Sequence, residues 1–251
     1  MASATGLQRG VSLARERTKD RVSFSMGSSC APDKHQTVPA LNMFFDVARS
    51  ARTAAWLYLM RRRQMDSARL RRYFSVKHQI EVGLYSYGCF DRWRMPGPMR
   101  IGRYCSIAAS VRRVPRNHPI ESMTTHPLLY EAAFGLANED VADNEPLVIE
   151  DDVWIGHNVV ILPRCRNIGR GAIIGAGSII TRNVAPYAVM AGNPGRKLRD
   201  RFDPDLIKAI EASRWWELSM DQLRQLAISR PDMVYSPTAE AIMAWARKEI
   251  P

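Results

Sequence analysis

Residues 149–184 read IEDDVWIGHNVVILPRCRNIGRGAIIGAGSIITRNV. An aliphatic side chain returns there every six positions, at Ile149, Ile155 and Ile161, and again at Ile168, Ile174 and Ile180. Such a period is neither the alternation of a half-buried strand nor the roughly 3.6 of a helix. Gly156, Gly169 and Gly175 directly follow three of the isoleucines, and Val153, Val159, Cys165, Ala172, Ser178 and Val184 stand four places after each one. The template recurs upstream as Val82-Gly83, as Ile101-Gly102 with Cys105, and as Ile107-Ala108 with Val111. A repeat this short is a flat strand that cannot bury its own aliphatic side chain. Stacked coils place every such side chain in one interior column, so the predicted fold is a β-solenoid. Glycine permits the corner turns, and only a small side chain fits beside the inward aliphatic. Cys105 and Cys165 fall at that small position and are predicted to be packing residues. The step from Ile161 to Ile168 is seven residues, which predicts one extra residue within Arg164-Cys165-Arg166-Asn167.

The remaining composition narrows the function class. The 251 residues are 46% hydrophobic and 24% charged, which suits a folded protein of one or two domains. A formal net charge of +11 raises the question of nucleic acid, an anionic membrane surface or a phosphorylated ligand. The excess is local: residues 1–78 hold 15 Lys or Arg against 5 Asp or Glu, leaving 21 against 20 in the rest. No zinc-finger, basic-zipper or RNA-binding motif accompanies it, so nucleic acid is not expected as a partner. Cys30, Cys89, Cys105 and Cys165 are widely spaced with no C-x-x-C pair, which argues against a disulfide framework or a zinc cluster and predicts a reducing, cytoplasmic compartment. Residues 1–26 carry Arg and Lys throughout and lack the apolar core of a secretory signal.

Residues 1–40 read as a tail, with Met26 and Met43 as alternative starts. From Leu41 to Met60 the apolar residues, Phe44, Phe45, Trp56 and Leu57 among them, sit close to helical spacing, and Arg61-Arg62-Arg63 follows. Asp46, Arg49 and Arg52 break the uninterrupted apolar run of about 20 residues that a membrane span needs. Such a basic amphipathic helix packs on its own protein or associates weakly with an anionic membrane surface, and both readings stay open. After the repeats, Asp203-Pro204 predicts a helix start, Ser219 with Gln222 a capping box, and Ser236-Pro237 the opening of a third helix with Ile242 and Trp245 inward. Trp215-Trp216 reads as packing. The expected organisation is thus a basic extension with tail and helix (1–78), a mainly β repeat domain (79–200) interrupted by a loop (112–148), and a C-terminal helical region (201–251).

Several segments carry a closer likeness: Tyr85-Ser86-Tyr87-Gly88, Ile101-Gly102-Arg103-Tyr104-Cys105-Ser106-Ile107-Ala108, Asn117-His118-Pro119, Thr124-Thr125-His126-Pro127, Val153-Trp154-Ile155-Gly156 and Ala191-Gly192-Asn193-Pro194. On these the chain resembles the left-handed parallel β-helix acyltransferases over roughly residues 80–225. Within that superfamily it is most similar to the xenobiotic group, which includes the hexapeptide chloramphenicol and streptogramin acetyltransferases and related polysaccharide O-acetyltransferases. The resemblance implies a left-handed winding, against the usual right-handed crossover preference. It also implies a homotrimer, with acetyl-CoA as acyl donor in the groove between adjacent subunits and no metal. In that family a loop histidine in the motif matched by Asn117-His118 is the general base, His126 stands close to the acceptor, and Tyr85 and Tyr87 fall near the acceptor pocket. Backbone groups of the later coils hold the pantetheine arm, which by resemblance are Gly156, Ala176, Gly177 and Thr181. Asn193, Pro194, Arg196 and Lys197 match the exit loop whose basic residues approach the CoA phosphates.

The chemistry agrees with the residue types. An imidazole, which ordinarily titrates near neutrality, can take the proton of an alcohol attacking a thioester and return it to the departing thiolate. The predicted reaction is a direct ternary-complex transfer of acetyl from acetyl-CoA to a hydroxyl of a sugar, a polysaccharide unit or a small xenobiotic. Other readings are a noncatalytic β-helix scaffold at a membrane surface and a zinc enzyme like the γ-type carbonic anhydrases. The zinc reading needs three histidines converging from adjacent coils, whereas His118 and His126 share one loop and only His157 sits on a coil.

Overall fold

The computed structural model describes residues 51–132 and 145–249. The expected tail, both alternative starts, residues 41–50 of the predicted helix and residues 133–144 of the interrupting loop lie outside these. In chain order the strands are β1 (Ile80–Val82), β2 (Met99–Ile101), β3 (Ser106–Ile107), β4 (Arg112–Arg113), β5 (Leu147–Ile149), β6 (Trp154–Ile155), β7 (Val160–Ile161), β8 (Asn167–Ile168), β9 (Ile173–Ile174), β10 (Ile179–Ile180), β11 (Ala188–Ala191) and β12 (Arg196–Asp200). They form three sheets, β1-β2-β5-β8, β3-β6-β9-β11-β12 and β4-β7-β10. From β2 to β10 successive strands visit the three sheets in turn, β1 lies beside β2 in the first sheet and β11 beside β9 in the second, and all of these pairings are parallel. The exception is β12, which folds back antiparallel on β11 at the last edge.

Register explains the six-residue period. Ile101, Ile149 and Ile168 are neighbours across one sheet, and Ile107, Ile155 and Ile174 across the next. The six repeat isoleucines are essentially fully buried, as are Val153, Val159, Cys165, Ala172, Ser178 and Val184 at the small position. In the third sheet Ile161 pairs with Ile180 on one side and Arg113 on the other. Arg113 is therefore a cation at the head of an aliphatic column, and its Nη1 donates to the carbonyls of Pro96 (2.6 Å) and Pro98 (2.7 Å). Burial pulls its pKa down to about 10. The extra residue is Arg166: the Cys165 N–H closes a turn on Leu162, and the amides of Arg166 and Asn167 both donate to Asn183 Oδ1, at 2.7 and 3.0 Å.

Where a corner passes close to its neighbour, glycine is required. Gly88 has φ +82°, and a Cβ placed there would lie 1.7 Å from the Ile107 carbonyl oxygen. Gly88→Ala is therefore expected to destabilise the fold by about 2–4 kcal/mol, combining left-handed strain with backbone overlap. Urea unfolding reads this as a lower midpoint at unchanged slope.

Residues 51–60 are helical (α1), and α2 (Ala68–His78) is a second helix that apolar spacing did not predict. Four basic residues obscure its stripe, yet Leu70 and Phe74, one helical turn apart, enter the same core as the repeat isoleucines. Ser67 caps it by accepting from the Leu70 amide at 3.2 Å. Trp56, Leu57 and Met60 of α1 pack against that core as well. Among the described residues no helix is long and apolar enough to cross a membrane.

The C-terminal part forms a second apolar cluster. Helix α3 (Pro204–Ser213) starts at the Asp203 cap, and α4 (Met220–Ser229) carries the Ser219–Gln222 capping box, both as expected. A short α5 (Pro231–Tyr235) was not anticipated, and α6 (Ala239–Glu249) opens at Thr238, whose hydroxyl accepts from Ala241, rather than at Ser236-Pro237. Trp216 is buried as packing, with the Arg170 guanidinium 3.9 Å above its ring. Arg170 also pairs with Asp151 on a repeat corner and with Glu211 of α3, while the Tyr187 hydroxyl donates to Glu211 at 2.6 Å. These bonds tie the helical cluster to the repeat corners.

Candidate active site

The period breaks after β4, and the chain leaves the sheets as a long connection to β5. Its described part is shaped by a short 3-10 turn at Pro127–Leu129, capped by His126, whose Nδ1 accepts from the Leu128 amide at 3.1 Å. Glu131 and Arg116 tie the two limbs of the connection together at 3.8 Å. Tyr130 is buried beneath the turn and supports His118, the two rings meeting edge to face with centroids 5.8 Å apart.

His118 is exposed, and its Nδ1 lies 2.8 Å from the Thr125 carbonyl oxygen. A carbonyl only accepts, so this contact puts a proton on Nδ1, and in the neutral imidazole the free lone pair is then the one on Nε2. The Tyr130 hydroxyl touches the same nitrogen, where its oxygen accepts, and its hydrogen points to Thr125 O at 3.5 Å. An imidazole held in this tautomer can accept a proton at Nε2 without first reorienting.

A groove of about 1560 Å³ runs along the β3-β6-β9 face. One wall is the sheet, with Ser106, Trp154, Gly156, His157 and Ala176; the other is built by α1, α2 and residues 88–94. Small side chains let the floor approach closely: a Cβ on Gly156 would meet the Ala176 amide nitrogen at 2.8 Å. The His157 Nδ1 is 2.9 Å from Ser110 Oγ, which accepts from the Asn158 amide at 2.8 Å and so has its hydrogen available for the imidazole. Among the described residues no group of three or more His, Cys, Asp or Glu side chains is arranged to hold a metal ion.

The expected site residues thus fall in six places. Tyr87, Gly156 and Ala176 line the groove. Asn117, His118 and His126 are exposed on the connection and are not part of the groove lining. Tyr85 stacks on Tyr104 at 4.8 Å with Arg103 against its ring, on the first circuit and away from the groove. Gly177 takes φ +73° at an exposed corner with its amide on His157 O, and half-buried Thr181 follows β10. Asn193 and Pro194 form the exposed β11–β12 turn, seated on β10 through Gly195 N to Ile179 O at 2.8 Å. Arg196 and Lys197 are exposed on β12, and Lys197 pairs with Asp200 at 2.7 Å. The sequence reading missed Tyr130, whose only signal was a tyrosine a few residues beyond the histidine motif, and the aromatic and basic wall contributed by α1 and residues 88–94.

Residues 146–182 match the family described as bacterial transferase hexapeptide (six repeats). A chloramphenicol acetyltransferase of Klebsiella aerogenes is 32% identical over 166 residues, covering 58% of this chain and 79% of the relative. A probable macrolide acetyltransferase of Lysinibacillus sphaericus is 36% identical over 132 residues, covering 49% and 71%. Among solved structures, a galactoside acetyltransferase in complex with coenzyme A is 30% identical with a TM-score of 0.36, covering 51% of this chain and 57% of that one.

Proposed function

Because this chain belongs to the hexapeptide-repeat acetyltransferases, we propose that it moves an acetyl group from acetyl-CoA to a hydroxyl of a sugar, polysaccharide unit or small xenobiotic, with His118 as general base. It is an acyltransferase. The observation that carries the base assignment is the Nδ1 contact to the Thr125 carbonyl, which leaves Nε2 ready to receive a proton. His118 Nε2 takes the acceptor's hydroxyl proton as that oxygen bonds to the thioester carbonyl carbon. It returns the proton to sulfur as the carbon–sulfur bond breaks, so no acetylated enzyme forms.

In this reading the three-sheet circuit is a β-helix, supported by the cyclic order of parallel strands, and its left-handed winding follows from the family resemblance. The donor's pantetheine arm follows the floor at Ala176 and Gly156, whose small side chains support that fit, with Gly177 and Thr181 further along and Asn193, Pro194, Arg196 and Lys197 toward its phosphates. Tyr87, Asn117 and His126 stand toward the acceptor. The exposure of the described part of the His118 loop supports a homotrimer in which a neighbouring subunit completes each groove. A reducing, cytoplasmic compartment is part of this reading, supported by the unpaired cysteines Cys89, Cys105 and Cys165.

Thiol release from acetyl-CoA, followed across a panel of hydroxyl compounds with mass spectrometry of the product, tests the reading. Release that depends on the acceptor and yields its ester is expected; release at an equal rate without acceptor, or a stably acetylated protein, contradicts it. Tyr130→Phe, which keeps the ring and removes the oxygen on His118, is expected to lower kcat about 3- to 10-fold, the worth of one orienting hydrogen bond.

A further inference from the structure

The groove extends beyond Tyr87 and Ser106 toward the N-terminal side, and its character changes there. Arg61 sits 5.9 Å from the ring centroid of Tyr58, and Arg92 sits 4.3 Å from that of Trp93. All four residues line the groove and are exposed. Among the described residues no carboxylate forms an ion pair with either guanidinium. Asp91 is the sole acidic residue of the described lining, and it is already occupied. Its Oδ2 pairs with Arg94 at 3.0 Å, and its Oδ1 accepts from the amides of Trp93 and Arg94 at 3.0 and 3.1 Å. The groove lining therefore carries two guanidinium groups, each against an aromatic ring and neither paired with a carboxylate among the described residues. Opposite, Trp154 is 55% exposed and Tyr87 41% exposed, giving bare aromatic surface on the sheet side.

Guanidinium groups match a carboxylate with two parallel hydrogen bonds, and aromatic faces accept the apolar face of a pyranose ring. A neutral drug would use the aromatic surface but leave the cations unpaired. We propose that this end of the groove is the acceptor subsite and selects a negatively charged saccharide of the uronic acid type, with Arg61 and Arg92 meeting the carboxylate. The inference rests on reading the groove as the acetyl-transfer site.

Methyl glucuronide and methyl glucoside differ at one group, carboxylate against hydroxymethyl, and form a matched pair of probes. Their affinities for the full-length protein are measured by ligand-observed NMR without acetyl-CoA, in wild type, Arg61→Ala/Arg92→Ala and Arg61→Lys/Arg92→Lys. The wild type is expected to hold the glucuronide about tenfold or more tightly, as one charge-assisted pair contributes. The alanine pair is expected to erase that difference and the lysine pair to keep part of it. Equal affinities in the wild type, no binding of either probe, or a preference that survives in the alanine pair would overturn the subsite. So would arginine-dependent sedimentation with phosphatidylserine vesicles combined with no preference between the glycosides, which would assign the cations to a lipid surface. The binding arm needs no acetyl transfer, so it stands if the His118 assignment fails. Loss of the binding difference, in turn, leaves the pH dependence of His118 open to measurement.

Discussion

His118→Ala is expected to lower kcat for acetyl transfer by about 10²–10⁴-fold, the range contributed by a positioned general base. The side chain is exposed and among the described residues it contacts Thr125 and Tyr130, so its loss leaves the buried core intact and the effect is catalytic. Two readouts separate this from a structural role. The limb of the pH–rate profile that reports the base should vanish in the variant, and the KM for acetyl-CoA should change far less than kcat, since the imidazole acts as the new bond forms. Steady-state thiol release over a pH series measures both. Turnover in the variant equal to that of the wild type removes His118 from the mechanism.

Ile155→Ala is expected to destabilise the fold by about 2–5 kcal/mol. Ile155 is fully buried and lies between Ile107 and Ile174 in a column, so truncation leaves a gap that neither neighbour can close without shifting its own strand. Ile155→Val, which removes a single methylene, is expected to lose only about 0.5–1.5 kcal/mol. Urea denaturation of the pair gives both values. A loss below about 1 kcal/mol for the alanine variant would mean that the column is not a continuous core.

The repeat was legible because a six-residue period states both which side chains turn inward and where each corner falls, and every isoleucine and small residue it singled out between 149 and 184 is buried. The seven-residue step was legible for the same reason, and the structure adds the asparagine at 183 that receives the two displaced amides. Other features left no periodic trace. Arg113 holds a column position through register alone, and a charged residue in an aliphatic row reads as surface until its two carbonyl partners are seen. Helix α2 buries only two side chains on an arginine-rich surface, too narrow a stripe for apolar spacing to detect. At the site, the histidine motif was legible from resemblance, but its orientation depends on Thr125 and Tyr130, which a turn brings back from later in the chain. Tyr85 shows the reverse: its sequence position suggested the acceptor, whereas its left-handed backbone at φ 67° aims the ring at Tyr104.

Acetyl transfer as derived above requires the thioester sulfur and one imidazole to share a hydrogen-bonding distance. A crystal structure of the full chain with bound coenzyme A measures that separation directly. The thiol sulfur is expected beside Nε2 of a His118 in the assembly, with Nδ1 still on the Thr125 carbonyl. Coenzyme A seated with its sulfur out of reach of every His118 would contradict it.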